Sequence, residues 1–195
     1  TEYDADSLAF FEACAVPPVP PRKFVIDQLV RGLKDAGLWT RAAWILLLAG
    51  HSTPDVYINL KDPDLAASPS GTLTFTTDRG VTGSANGDVS LGQAPNALAG
   101  VSQDSFALFV TVRTAGSTDD VVGAASATTF RLNPKDGSNN LVSRLNDATD
   151  NSTANPDPRA GRYLISRTGA AGYDVYRNGA SLGAVVQAST ALSSE

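Results

Sequence analysis

The chain has 195 residues, of which 42% are hydrophobic, so it can bury a substantial core as one domain or as a domain with an appendage. Its 15 Lys and Arg residues against 20 Asp and Glu residues give a net charge of -5, the wrong sign for a protein that holds nucleic acid by neutralising phosphates. One Cys and one His exclude a disulfide framework and a Cys/His zinc site, and they leave little for a histidine-based catalytic pair.

The first third of the chain is predicted to be helical. Asp6 or Ser7 can cap a short helix, and a stiff proline-rich spacer over residues 16–21 follows it. A second, amphipathic helix is predicted after the spacer, because apolar residues recur there at 3.6-residue spacing until Gly37 ends the pattern. Its polar face includes Asp27. Its apolar face is the predicted docking surface and consists of Val25, Ile26, Leu29, Val30 and Leu33.

The next segment, residues 39–49, is apolar without a clear period. Such a segment fits either a buried helix or a core strand, and a helix that ends near Gly50 is favoured. The longest apolar run, residues 42–50, is about half of the ~20 residues that a membrane-spanning helix needs. The sequence therefore predicts no membrane span.

From about residue 65 the hydrophobic period changes to two, which is typical of β-strands. Asp outnumbers Glu 17 to 3, and this excess favours a turn-rich fold. We therefore predict an N-terminal helical docking region over residues 1–64 and a mainly β domain over residues 65–195, a sandwich or barrel of short strands. The predicted strands are residues 72–77, 106–112, 121–122, 130–132, 141–145, 163–166 and 175–176.

The clearest local signal is the Asn178-Gly179 pair. Asn-Gly supplies the two positive-φ residues of a type I′ turn, so residues 173–183 are predicted to form a β-hairpin.

Three segments carry a family resemblance. They are Gly37-Leu38-Trp39 after the amphipathic helix, the segment 74–80 (TFTTDRG), and the segment 175–183, whose Val-Tyr-Arg-Asn-Gly is followed by Leu182-Gly183. In this order they resemble structural proteins of tailed phages and prophage-like particles that carry a concanavalin A-like, laminin-G-like jelly roll. The resemblance implies a lectin-like β-sandwich in a tail fibre or spike type of virion protein, which is made in the bacterial cytoplasm and lies on the particle surface.

The resemblance also implies partners. Other particle proteins, further copies of the chain and a host-surface polysaccharide are expected. The net charge of -5 argues against a nucleic-acid partner. Too few strands are predicted after residue 65 to close a jelly roll, so a neighbouring subunit or residues beyond Glu195 are expected to cover an open sheet edge. The sequence thus predicts an oligomer.

Two kinds of site are considered. Aromatic rings stack on the apolar face of a sugar, which makes Tyr163, Tyr173 and Tyr176, with Asp174 as a hydrogen-bonding partner, a candidate carbohydrate site. The aromatic content of only 7% favours a core position for Tyr176 over a sugar-contacting one.

Asp136, Asp147 and Asp150 lie in Asp/Asn-rich loops of the kind that could hold Ca²⁺. Because Asx residues are also the usual turn formers, solvated turns without any cofactor are the expected alternative.

The resemblance favours a non-enzymatic adhesion protein, with capsid or tail decoration as the alternative. A glycan depolymerase is the second alternative and would need two carboxylates near the scissile bond. All three Glu residues lie near the termini, so that pair would have to come from Asp104, Asp119, Asp120 or Asp174.

Overall fold

The computed structural model describes residues 2–83, 88–113, 122–123, 130–147, 149–155 and 160–192. Over these residues it is mainly β, as predicted, with several antiparallel sheets and two α-helices. The chain divides into two compact units, Thr1–Gly92 and Gln93–Glu195, whereas the sequence placed the boundary between residues 64 and 65.

Both predicted N-terminal helices are present, with shifted starts. Helix α1 spans Ala5–Ala13, and Asp4 caps it by accepting a hydrogen bond from the Asp6 N–H at 3.0 Å, so the prediction of Asp6 or Ser7 as the cap is wrong. Helix α2 spans Pro20–Asp35. Prolines fit the first turn of a helix, where their missing N–H groups need no partner, so α2 takes the last two residues of the predicted spacer.

The predicted helix over residues 39–49 is wrong. Only a short 3-10 turn, Trp39–Arg41, forms there, and the chain then continues without regular structure apart from an isolated antiparallel bridge between Leu46 and Asn59. Ile45 and Leu47 pack into one hydrophobic cluster, and Trp44 and Leu46 pack into another. A segment whose side chains pack on both sides shows no amphipathic period, so the pattern could not exclude a helix here.

Four short strands belong to the first unit, together with a second 3-10 turn, Asp55–Tyr57. Phe75, Val81, Val89 and Leu91, from or beside these strands, pack against Val56, Tyr57 and Ala67. This packing places residues 65–92 in the first unit. The two-residue period that begins near residue 65 does mark β-strands, but these strands belong to the first unit. The strands are β1 Ser68–Ser70, β2 Leu73–Thr76, β3 Gly80–Gly83 and β4 Asp88–Ser90, paired antiparallel as β1–β4 and β2–β3.

The second unit contains two four-stranded antiparallel sheets. Its strands are β5 Phe106–Val112, β6 Val122–Gly123, β7 Phe130–Asn133, β8 Asn140–Leu145, β9 Asn151–Ala154, β10 Gly161–Arg167, β11 Gly172–Arg177 and β12 Ala180–Val186. Their order is β12-β11-β10-β5 in one sheet and β6-β7-β8-β9 in the other. A 3-10 turn, Pro95–Ala97, precedes them.

The buried side chains of the two sheets form one core. Leu132, Leu141 and Leu145 from one sheet contact Tyr163, Ile165, Tyr173, Val175 and Val185 from the other. The predicted strands of this unit are found, except that Val121 lies outside the described residues. Strand β9 was not predicted, whereas β12 is the second strand of the predicted hairpin. That another subunit or further residues cover an open sheet edge stays a prediction.

The Asn178-Gly179 hairpin is confirmed. Asn178 and Gly179 have φ values of 51° and 85° and join β11 to β12. Both residues of a type I′ turn need positive φ.

Candidate functional site

The sheet β12-β11-β10-β5 has one face in the core and one face outside it. Along β10, Tyr163, Ile165 and Arg167 are buried, whereas Arg162 and Leu164 alternate with them on the other side. Successive side chains of a strand point to opposite faces of the sheet. The outer face therefore carries the side chains that do not contribute to the core of the second unit.

An apolar row crosses this outer face. Leu164 on β10 pairs with Phe109 on β5 and with Tyr176 on β11. Neighbouring strands lie about 4.8 Å apart, so the backbones at Phe109 and Tyr176 are separated by about 10 Å. Phe109 is 61% exposed. We call Phe109, Leu164 and Tyr176 the outer apolar row.

Polar groups border the outer apolar row. A shallow depression of about 410 Å³ is lined by the row together with Arg162, Asn178 and Gly179. Asn178 accepts a hydrogen bond from the Arg162 N–H at 2.9 Å and donates its own N–H to the Arg162 carbonyl at 2.7 Å, which fixes the hairpin turn against β10. The Arg162 guanidinium and the Tyr176 hydroxyl have no hydrogen-bonding partner among the described residues. Aromatic surface beside uncommitted polar groups is suited to contact a sugar ring.

Two of the four predicted sugar-contacting residues are misassigned. Tyr163 and Tyr173 are 0% and 3% exposed, so neither ring can stack on a ligand. The Tyr173 hydroxyl donates a hydrogen bond to the Ser143 carbonyl at 3.0 Å, and burial raises the pKa of this phenol to about 12. The other two predicted residues, Asp174 and Tyr176, do lie on the outer face.

Phe109, Leu164, Arg162 and Asn178 were not predicted as site residues. A signal for Phe109 was present, because the alternation of residues 106–112 places Phe109 on the opposite face from Phe106, Leu108, Val110 and Val112.

The three predicted calcium ligands do not form a common site. Asp136 closes its own turn by accepting the Ser138 and Asn140 N–H groups, both at 2.8 Å, and these bonds lower its pKa. Asp150 forms ion pairs with Arg131 and Arg144. Within the part of the chain that the structure describes, no group of three or more His, Cys, Asp or Glu side chains is placed to hold a metal ion.

Asp147, the third predicted ligand, is buried in the core region of the second unit. It accepts the Thr149 N–H at 2.7 Å, and its carboxylate lies 3.9 Å from the guanidinium of the equally buried Arg167. Burial raises the pKa of Asp147 and lowers the pKa of Arg167. Arg167 also donates to the Leu145 and Gln187 carbonyls. This pair therefore has a structural role in holding the chain segments around β8 and β10.

Of the four carboxylates considered for glycan cleavage, two can be placed. Asp104 accepts a hydrogen bond from the Ser189 hydroxyl, and Asp174 lies on the outer face. Asp119 and Asp120 lie outside the described residues.

The predicted docking helix presents only part of its apolar residues. Ile26 and Val30 are 7% and 0% exposed, and Leu33 packs against the same core. Val25 and Leu29 are 65% and 40% exposed. The predicted docking residues therefore lie on two different faces of α2. One face packs into the hydrophobic core, and the other is exposed.

Asp27 of the same helix was predicted to be exposed but is buried. It was assigned to the polar face of the helix, but its carboxylate is only 3% exposed. Its hydrogen bonds to the Asp4 N–H and to Arg31 explain how a charged group is accommodated there.

A groove of about 600 Å³ lies beside the exposed residues of α2. Val19, Val25 and Leu29 line it together with Leu47 and Ala49 of the segment after Trp39. We call Val19, Val25 and Leu29 the exposed α2 patch.

His51 also borders this groove, where it contacts the Val16 carbonyl and lies 3.4 Å from Asp55. Asp55 accepts the Ala15 and Val16 N–H groups. His51 and Asp55 therefore bind the segment between α1 and α2.

Comparison of the chain with protein-family models, with curated proteins and with solved structures finds no match. In the described part of the chain, neither helix combines the length and the apolar character needed to cross a bilayer.

Proposed function

We propose that this chain is a non-enzymatic structural protein of a phage or phage-like particle, of the fibre or spike type, that contacts a host-surface glycan. The observation that carries the proposal is the outer apolar row, bordered by the uncommitted guanidinium of Arg162 and by the Asn178 turn. In this proposal the two four-stranded sheets form a lectin-like jelly roll. The first unit attaches the chain to other particle proteins.

Exposure of Phe109 supports a binding role for the outer face. A single exposed apolar side chain needs no explanation, but here Phe109 adjoins Leu164 and Tyr176 in one continuous row. The spacing of about 10 Å between the row's two aromatic residues leaves Leu164 as an apolar floor between them. A sugar ring lying on this floor would contact both aromatic side chains and reach Arg162 with its hydroxyl groups.

A binding assay with aromatic substitutions tests the glycan contact. Tyr176→Ala and Phe109→Ala should each weaken binding to host cell-surface polysaccharide by about three- to tenfold, as expected for loss of one aromatic contact. Phe24→Ala is the matched control, because Phe24 is an aromatic side chain of the first unit that is 52% exposed. Equal binding by all three variants and the unaltered protein, or no binding by any of them, would refute the proposed contact.

Attachment to the particle is supported by the exposed α2 patch. Val25 and Leu29 are exposed and lie one helical turn apart, beside an apolar groove. Replacing both with Asp should abolish incorporation into particles and leave the fold intact, because neither side chain is in the core. Gln28→Asp adds a negative charge at an exposed position of the same helix and should leave incorporation unchanged.

Decoration of a capsid or tail is the second candidate, and the exposed α2 patch favours it equally. A decoration protein needs the docking surface but not the outer apolar row. Quantitative mass spectrometry of particles separates the two functions. A copy number that follows the capsid or tail lattice supports decoration, whereas a small fixed number per particle supports a fibre or spike.

A further inference from the structure

The outer face of the second unit carries a positive side chain on one side of the outer apolar row and a negative side chain on the other. On one side of the row, Arg162 pairs with Thr111 of β5 and adjoins Asn178. On the other side, Ser166 pairs with Asp174 of β11. Arg162 and Ser166 are four residues apart on one strand, so the positive and negative ends of the face are separated by about 13 Å.

The guanidinium of Arg162 differs in its contacts from those of Arg131, Arg144, Arg167 and Arg177 in the same unit. Arg131 and Arg144 pair with Asp150, and Arg167 is buried against backbone carbonyls. Arg177 donates to the Ala160 carbonyl and lies over the Tyr163 ring. The Arg162 guanidinium has no such partner within the described residues, and its side chain lines the depression beside the apolar row.

We propose that Arg162 makes this face selective for acidic glycans, whose sugar residues carry a carboxylate. This inference rests on the proposed glycan contact and specifies its ligand. The planar guanidinium matches a carboxylate with two parallel N–H···O bonds. With the sugar ring on the outer apolar row, its carboxylate binds Arg162 and its hydroxyl groups reach the Tyr176 hydroxyl.

Asp174 sets the orientation of the same ligand. A carboxylate accepts hydrogen bonds from sugar hydroxyls but repels a second carboxylate. The acidic group of the glycan is therefore directed to the Arg162 end of the face and a neutral part of the chain to the Asp174 end. Asp174 and Arg162 thus have opposite expected effects on acidic ligands.

The test compares each of a panel of acidic bacterial polysaccharides with the same polymer after chemical reduction of its carboxyl groups. The unaltered protein should bind the native forms about tenfold more tightly than the reduced forms, since one charge-assisted contact is lost. Arg162→Gln should remove that preference and bind the reduced forms as well as the unaltered protein does. Asp174→Asn should strengthen binding of the native forms. Arg79→Gln removes the same charge from an exposed position of the first unit and should change neither.

The outcomes distinguish the proposed selectivity for acidic glycans from the proposed glycan contact itself. Binding that Tyr176→Ala weakens but that is equal for native and reduced polymers, with no effect of Arg162→Gln, would overturn acidic selectivity and leave the glycan contact in place. A preference that Arg79→Gln weakens as much as Arg162→Gln would assign it to net charge and overturn the role of Arg162. Absence of binding to every polymer in both forms would overturn both proposals.

Discussion

Asp27 is the residue whose replacement should most clearly destabilise the first unit. Its carboxylate is 3% exposed and accepts two short hydrogen bonds, from the Asp4 N–H and from the Arg31 side chain, both at 2.7 Å. Asp4 is itself the cap of α1. Asp27 therefore fastens the start of α1 to the middle of α2.

The expected magnitude follows from these two bonds. Asp27→Asn keeps the side-chain size but removes the charge and one acceptor oxygen. A hydrogen bond to a charged group contributes about 1.5–3 kcal/mol, and the substitution loses one such bond and weakens the other. Arg31 is 43% exposed and regains water, so little further cost arises from it. We expect a loss of about 2–3 kcal/mol in the free energy of unfolding of the first unit.

Tryptophan fluorescence isolates this unit in the intact chain. Both tryptophans, Trp39 and Trp44, lie in the first unit, so their emission during urea unfolding reports on that unit. Asp35→Asn is the matched control, because Asp35 is an exposed residue of the same helix, and its effect should stay within about 0.5 kcal/mol. Equal unfolding midpoints for the two variants would refute the argument.

The pH dependence provides a second check. Burial raises the pKa of Asp27, but the hydrogen bonds from Arg31 and Asp4 outweigh it and hold the pKa below its ordinary value of 3.8. A lowered pKa in the folded state stabilises the fold above the unfolded pKa, and this contribution is lost as the pH falls through the folded pKa. The deficit of Asp27→Asn should therefore shrink in acid below pH 3.8. A deficit that stays constant into strong acid would contradict the assigned role.

Two further predictions concern buried groups. Burial raises the pKa of Cys14 to about 12, so the thiol is neutral near pH 7. It should therefore react with a thiol reagent only as fast as the first unit opens. Rapid labelling of Cys14 in the folded protein would contradict this prediction. Tyr173→Phe removes a buried hydrogen bond to Ser143 and should destabilise the second unit by about 1–2 kcal/mol in denaturation followed by circular dichroism. The same variant should bind glycan as tightly as the unaltered protein does. Weaker glycan binding by Tyr173→Phe would contradict the conclusion that this buried ring does not contact the ligand.

Elements with one buried face were predictable from the sequence. Helix α2 and strand β5 each alternate core and exposed residues, so the hydrophobic period identifies them. The Asn178-Gly179 turn was predictable for a local reason, because few other residue pairs adopt two positive φ values readily.

Other features depend on tertiary packing and leave no period in the sequence. The segment after Trp39 packs side chains into two different hydrophobic clusters, so nothing in its pattern separates helix from strand. Strands β1–β4 resemble the strands of the second unit locally, but side chains of β2, β3 and β4 pack in one cluster with Val56 and Tyr57 of the first unit. Asp27 is charged and was assigned to the solvent, because its partner Asp4 is 23 residues away in the sequence.

Some residues of the candidate glycan face can be predicted from strand parity, that is, from the alternation of side chains between the two faces of a sheet. The others can be predicted only when the order of the strands is known. Tyr173 and Tyr176 are three residues apart on β11, so a period of two places them on opposite faces, and they cannot belong to one site. The same parity groups Tyr176 with Asp174. Parity cannot show which strands are neighbours, however. Phe109 reaches the site only because β5 pairs with β10, which is more than 40 residues later in the chain. The outer apolar row is thus a product of sheet topology, and a substitution that shifted the β5–β10 register by one residue would turn Phe109 into the core and dismantle the row.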